Sequence, residues 1–345
     1  MPGNEGDGTV QVVDIAWRAL IEQDIPVWAQ FGRAVEEVDH EDEHYGEDDL
    51  AEIFAEPLFD PQRGSLAGFC GGQMVAFGML RVRPAVDEIH RMGFHGAVHP
   101  AYRGRGLGTE LMRWAAEAAR PLHGERHPDS RLVLNTGCTS TNEAAGALLK
   151  RLGYEPVRYY YGMYTSLAAE PPRVGPIEGI DIVPYAAELD EQVRVAKNAA
   201  FQDHWGTTPA LPESWRATFR DSVSFRPDLS FLALRAEEAP HDAGQGEAAG
   251  SGRVVGFAMT KYSKAKTEAT GERDAHVTIL GTLREARRRG IARALLMRVL
   301  HTAREAGFDT ASLGVDSQNP TGALGIYERT GFTVKRTWIN YAREL

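Results

Sequence analysis

The chain has 345 residues, 43% of them hydrophobic and 25% charged, with a formal net charge of −10. That length suits about two domains, and the apolar share supports a sizeable core, which excludes intrinsic disorder as the main description. The acidic balance argues against nucleic acid as a partner, because phosphate neutralisation needs a basic face; it mildly favours cationic ligands.

Two cysteines, Cys70 and Cys138, exclude a disulfide scaffold and a zinc ribbon, and fit a reducing, cytoplasmic setting. No apolar stretch reaches the ~20 residues of a membrane helix, so no membrane partner is expected. The first ten residues, MPGNEGDGTV, lack the basic and apolar regions of a signal peptide and read as a frayed tail.

In chain order, the first marked segment is Glu36–Asp49, with nine carboxylates. It reads as a solvated acidic loop, with attraction of a cationic acceptor as the functional alternative. Inside it, His40 and His44 satisfy His-Glu-x-x-His, but charges on every side and Gly46 deny them the apolar helix face of a zinc site. No metal is expected.

Two short apolar strands follow, the second at Val75–Val82, then a third ending at Val98. Next comes the Arg/Gly-rich turn Arg103-Gly104-Arg105-Gly106-Leu107-Gly108, and a helix with Leu111, Ala115 and Ala118 on one face. A buried strand at Leu132–Asn135 precedes a helix starting near Asn142, a Gly153-Tyr154 stop and a last strand containing Tyr159–Tyr161. Cys138 reads as a small buried residue. Residues 168–180, rich in proline and glycine, read as a linker.

The same plan then recurs. A helix spans Glu188–Phe201, and Val255–Tyr262 resembles Val75–Val82. Arg287-Arg288-Arg289-Gly290-Ile291-Ala292 matches the first turn at an offset of 184 residues. Ile326–Phe332 matches Leu148–Tyr154 at an offset of 178. The third strand ends at Thr282, the helix carries Ile291, Leu295 and Val299, and the buried strand is Ala311–Val315. Residues 236–252 read as a long hairpin loop. The period implies two whole α/β domains of one fold, an α+β mixed sheet in each: 1–167, a linker at 168–180, and 181–345.

The strand–turn–helix element carries the chemistry. Glycines let the backbone approach a ligand, and the first free N–H groups of the helix, with its dipole, form a diphosphate cradle. The arginines add charge. A Walker loop and the Gly-x-Gly-x-x-Gly fingerprint both fit worse.

This pattern resembles the acyl-CoA-binding motif of the GNAT superfamily of N-acetyltransferases, in both halves. The run Asn319, Ala323, Tyr327, Gly331-Phe332 is similar to that family's end-of-site helix. The resemblance implies two tandem acyl-CoA N-acyltransferase (GNAT) domains, with acetyl-CoA as donor and a small-molecule amine as acceptor. It implies pantetheine pairing along Leu280, Gly281 and Thr282, with Val98 the matching strand end in the first half. The amides of Arg288 through Arg293 would hold the diphosphate, Arg103 through Gly108 would do so in the first half, and Asn319 and Ala323 would lie near the cofactor.

Tyr327 would be the general acid. A phenol near ~10 and a thiol near ~8.5 are close enough to share a proton. Leu149 stands opposite Tyr327, so the second domain is expected to do the chemistry and the first to bind CoA without turnover or to serve as structure. Tyr154 and Tyr159–Tyr161 are candidates to compensate.

For the general base the candidates are His204 and His276, with Asp203 a lesser option. Direct attack is expected because no nucleophile is evident. An acyl-CoA sensor without catalysis and a protein or peptide N-acetyltransferase stay open as alternatives, as does a homodimer.

Overall fold

The computed structural model describes residues 14–84, 86, 88–236, 252–319 and 322–345. The expected frayed tail at 1–10 and most of the expected loop at 236–252 lie outside them.

The first half runs β1 (Ala16–Arg18), α1 (Ile25–Asp39), α2 (Glu47–Phe54), α3 (Pro61–Gly64), β2 (Ser65–Cys70), β3 (Gln73–Arg81), β4 (Ile89–Val98), α4 (Leu107–Arg126), β5 (Arg131–Thr139), α5 (Glu143–Arg151) and β6 (Glu155–Ser166). The second half repeats the plan as β7 (Asp181–Pro184), α6 (Asp190–Phe201), α7 (Pro212–Thr218), β8 (Phe231–Ala236), β9 (Gly252–Lys261), α8 (Lys264–Thr270), β10 (Asp274–Thr282), α9 (Ile291–Glu305), β11 (Thr310–Asp316), α10 (Ala323–Arg329) and β12 (Thr333–Glu344).

Local chemistry sets these boundaries. Helix α1 carries Pro26 in its first turn, where a missing N–H costs nothing. It buries Ile25, Trp28, Ala29 and Phe31, and stops where His40 turns left-handed at φ 50°. Gly106 and Gly290 begin α4 and α9 at φ +87° and +82°, a region that suits glycine. Strand β5 runs four residues past Asn135, so Cys138 lies within it, buried, and α10 begins at Ala323 rather than near Asn319.

All twelve strands form one sheet in the order β1-β2-β3-β4-β5-β12-β6-β11-β10-β9-β8-β7. The mixed sheet is as expected, but its centre is not. Each half sends its last strand across the junction: β12 lies between β5 and β6, and β6 lies between β12 and β11. The two closing strands share one turn-then-strand pattern, so nothing local in either says which sheet it joins.

Two parallel pairs sit symmetrically about this centre, β4 with β5 and β10 with β11. Their pairing ends early. Gly93↔Asn135 is the last register pair of the first, leaving Phe94–Val98 splayed from β5; Val277↔Leu313 is the last of the second, leaving Thr278–Thr282 splayed from β11. Each splayed segment stays paired on its other side, with β3 or β9, and the strand edge left open is where an extended ligand can pair.

The cores follow the exchanged strands: Met163 of β6 joins the core of the second half, and Tyr341 of β12 joins a core of the first. Helix α9 buries Ile291, Leu295, Leu296, Val299 and Leu300 against β8, β9 and β10, and α4 buries Leu111, Met112, Ala115 and Ala119 against β3 and β4. No helix among the described residues is long and apolar enough to cross a membrane.

Candidate active site: two cradles with different chemistry

Each splayed strand leads into a turn whose amides point away from the protein's own acceptors. The N–H groups of residues 104–109 and of 288–293 have no hydrogen-bond acceptor among the described residues, and ordinary helical bonding resumes at Glu110→Gly106 and Ala294→Gly290. Six successive unpaired donors at a helix N-terminus, twice over, make two anion cradles. Space at the turns agrees, since a Cβ at Gly104, Gly106 or Gly290 would meet nothing within 4 Å. The second cradle has Arg288 at φ 64° where the first has Gly104, a strained position for a side chain. Ala292 takes the place of Gly108, where a Cβ would press to 2.9 Å from Leu148.

The arginines divide in role. Arg103 donates from Nε to the Val98 carbonyl and grips Asp39 with both terminal nitrogens at 2.7 Å. Arg287 repeats this, donating to the carbonyls of Thr282 and Ala200. Both pin the turn to its strand and to the preceding helix, so their guanidinium groups shape the cradle from within. Arg105 donates to the Ala101 carbonyl and Arg289 to that of Glu178. Arg293 is exposed in the first turn of α9.

In the second half, Leu280 and Thr282 are half-buried on the splayed part of β10 and Gly281 is buried there; Phe257 Cζ lies 2.3 Å from where a Cβ on Gly281 would sit. Tyr327 is buried (7% exposed), 6.2 Å from the Phe332 ring, and its hydroxyl has no partner among the described residues. Burial pushes it up to about 12, above the value its residue type alone suggests. Ala323 opens the same helix, and Asn319 precedes it, its amide bonded to the Asp316 carbonyl.

His204 follows α6 with its ring 4.5 Å from that of Phe201. Burial lowers its pKa, so it is neutral at pH 7. Trp205 beside it packs under Arg91 at 4.8 Å and Arg158 at 5.5 Å. His276 lies on the closed part of β10, where its Nδ1 meets Ser312 Oγ at 2.9 Å; Ser312 in turn donates to Asp274 at 2.5 Å. That chain ties His276 into a structural network rather than onto the splayed segment. Asp203 is bound to Arg284 at 2.5 Å.

The first half holds a cavity of about 670 Å³ that runs from Gly104, Gly106 and Gly108 past Val98 and Leu107 to Glu41, Glu43 and Tyr45 of the acidic segment. Leu149, the counterpart of Tyr327, lines it, which places that position on the site side of the helix. Segment 40–46 is neither helical nor freely solvated. Glu36 receives the amides of Glu41, Asp42 and Glu43, and Glu41 bonds Thr139 and Asn142. The folded-in loop presents Glu43 3.6 Å from His95 on the splayed part of β4.

Burial and then the Glu36 charge push Glu43 up to about 7, and burial holds His95 down to about 4. Reading the sequence alone passes over both. Glu43 is hidden in a run that reads as solvent-facing, and the second half has Ile279 at the register position of His95. His40 ends a helix, so the two histidines of the His-Glu-x-x-His match share no helical face, and no group able to hold a metal occurs among the described residues.

Two domains built on one splayed parallel pair, each ending in an amide cradle, define a tandem acyl-CoA-dependent acyltransferase. The model of the acetyltransferase (GNAT) family matches twice, at residues 27–154 and 199–332, and the chain belongs to that family. It is an acetyl-CoA-dependent N-acetyltransferase.

Among curated relatives, the mycothiol acetyltransferase of Nocardia farcinica is 33% identical over 277 residues, covering 77% of this chain and 78% of that one. The mycothiol acetyltransferase of Pseudarthrobacter chlorophenolicus is 31% identical over 252 residues, covering 72% and 69%. Of solved structures, a GCN5-related N-acetyltransferase from Sphaerobacter thermophilus superposes with a TM-score of 0.69 at 24% identity, over 96% of this chain and 95% of that one. A tandem GNAT protein from the clavulanic acid biosynthesis pathway gives 0.66 at 16%, over 96% and 98%. These likenesses establish the shared fold.

Proposed function

We propose that the chain moves an acetyl group from acetyl-CoA to the primary amine of a small molecule by direct attack, with the second domain as a catalytic centre and Tyr327 as its acid. The observation that carries this is the buried Tyr327 side chain, whose hydroxyl makes no hydrogen bond among the described residues, at the position whose first-half counterpart lines the cradle cavity. The domain division at residues 168–180 belongs to the same reading. The relatives named mycothiol acetyltransferase put an acceptor of that kind first in a screen.

Acetyl-CoA supplies an activated thioester, and this chain's groups bind it and handle protons. The amides of residues 288–293 hold its diphosphate, and the backbone of Leu280–Thr282 is free to pair with its extended arm. Val98 and the turn at 103–108 have the matching place in the first half. His204, held neutral, takes the proton from the attacking amine. Tyr327 stays protonated across the physiological range. Because its pKa of about 12 lies above the ~8.5 of a thiol, it acts first as a hydrogen-bond donor to the sulfur as charge develops there.

Tyr327→Phe tests this in a chain whose first-half cradle is blocked by Thr109→Glu: kcat should fall about 100-fold or more while acetyl-CoA affinity of the second half stays within about twofold. Unchanged kcat would remove Tyr327 from the chemistry.

A further inference from the structure

We infer that the first half is a second acetyl-transfer centre, in which Glu43, with His95 beside it, takes the proton from a primary amine carried on an apolar body. The inference stands on the geometry of the first half and is independent of the role of Tyr327. The cavity is continuous from a cradle of six unpaired amides to Glu43, and it passes the splayed residues Phe94–Val98 on the way. Its far wall is aromatic and aliphatic, with Trp28, Phe31, Phe77 and Ile53, while Glu36 and Glu41 stand next to Glu43. Such a wall accepts an aryl or alkyl group, and the carboxylates draw in its ammonium.

The groups facing Glu43 fix its behaviour. Glu36 approaches from α1, Glu41 and Tyr45 from its own loop, Arg81 from β3, and His95 from β4; one step further out, Asp39 of α1 faces Glu41 and Asp49 of α2 faces Tyr45. On the second-half side, Lys261 of β9 lies near Arg81 and Asp49. Burial and then the Glu36 charge raise Glu43 to about 7, and Arg81 opposes them. His95, held to about 4, and Tyr45, raised above the usual phenol, do not titrate near neutrality. Ionised Glu43 is the working form, so activity at this centre should rise as pH passes through about 7.

The step balances without the phenol that this half lacks. The bound ammonium first gives one proton to bulk water; the neutral amine nitrogen then bonds to the thioester carbonyl carbon and the C–S bond breaks. The nitrogen's surplus proton goes to Glu43 and from there to the departing thiolate, whose acid near ~8.5 is the weaker one.

Thr109 and Arg293 occupy the same third position of α4 and α9. A glutamate at either puts negative charge into one cradle while suiting a helix first turn. In full-length protein carrying Arg293→Glu, acetyl-CoA with 2-phenylethylamine as probe should release one thiol per acetylated amine. Adding Glu43→Gln should cut that rate about 100-fold or more and leave one acetyl-CoA site by calorimetry, whereas adding Thr109→Glu should remove both rate and site. In unliganded protein with ¹³C-labelled glutamate carboxyls, one resonance should titrate near 7 and be missing from Glu43→Gln.

The inference is overturned if Arg293→Glu protein binds no acetyl-CoA, if it binds but turns over no 2-phenylethylamine, or if turnover ignores Glu43→Gln. The reading of Tyr327 is tested separately, by Tyr327→Phe in a Thr109→Glu background.

Discussion

Replacing Lys266 by methionine removes the cation that joins the acidic loop of the first half to the sheet of the second. Its ammonium lies 2.8 Å from Asp42 and 3.1 Å from Asp274, with side chains 15%, 20% and 4% exposed. Tyr164 donates to Asp42 as well, and Ser312 and Thr310 donate to Asp274. Methionine keeps the volume but leaves two carboxylates facing each other out of bulk water. Breaking a fully buried pair from one side costs roughly 3–5 kcal/mol. Partial exposure here lowers the expectation to about 2–3 kcal/mol.

The sign with pH follows from both partners. Asp42 is held well below the usual carboxylate range, so its contribution is present above an unfolded pKa of about 3.9 and is lost as pH falls through its lower folded value. Lys266 is held above the usual lysine value, so its contribution is complete below about 10.4 and is lost only as pH rises beyond that. The stability difference between wild type and Lys266→Met should therefore be flat from about pH 5 to 9 and shrink below about pH 4.

Urea denaturation followed by tryptophan fluorescence and circular dichroism would measure it, in a cycle with Asp42→Asn and the double variant. A coupling of about 1–2 kcal/mol is expected. A loss under about 0.5 kcal/mol for Lys266→Met, or strict additivity in the cycle, would refute the reasoning.

Gly137→Ala should destabilise the sheet by about 2 kcal/mol or more, seen as a lower melting temperature, because its Cβ would sit 2.2 Å from Trp338 Nε1 and 2.8 Å from the Ile339 carbonyl. Arg103→Met should weaken acetyl-CoA binding to the first half in calorimetry and spare the second, since it frees the turn from Val98 and Asp39. His90 is fully buried beside His123 and His127, with burial holding it down to about 4. Its contribution is complete above an unfolded pKa of about 6.5 and is lost as pH falls toward 4. His90→Leu should flatten the acid-side decline in stability, read by urea denaturation at pH 7 and pH 5.

Much of the architecture is legible in the sequence because a cradle needs a particular chemistry in a short stretch. The offsets from Arg103 to Arg287 and from Leu148 to Ile326 reveal two copies of one unit, and Leu149 against Tyr327 marks where they part. Glu43 and His95 are hidden in the sequence for a physical reason. A run of nine carboxylates looks solvated by composition, and only the capture of three loop amides by Glu36 turns it inward. The placement of β6 and β12 is hidden for another. Strand alternation encodes which face is buried, not which neighbour lies alongside.

The crossing of those two strands makes the chain resemble a homodimer whose subunits traded their C-terminal ends and were later joined in one gene. A cut within residues 168–180 would leave two fragments still laced by the β5–β12, β12–β6 and β6–β11 ladders. A fragment ending at residue 167, made alone, would present the bare edge of β5, an invitation to aggregate. Supplied together, the two pieces have what they need to rebuild the sheet, which makes this chain a natural scaffold for split-protein complementation.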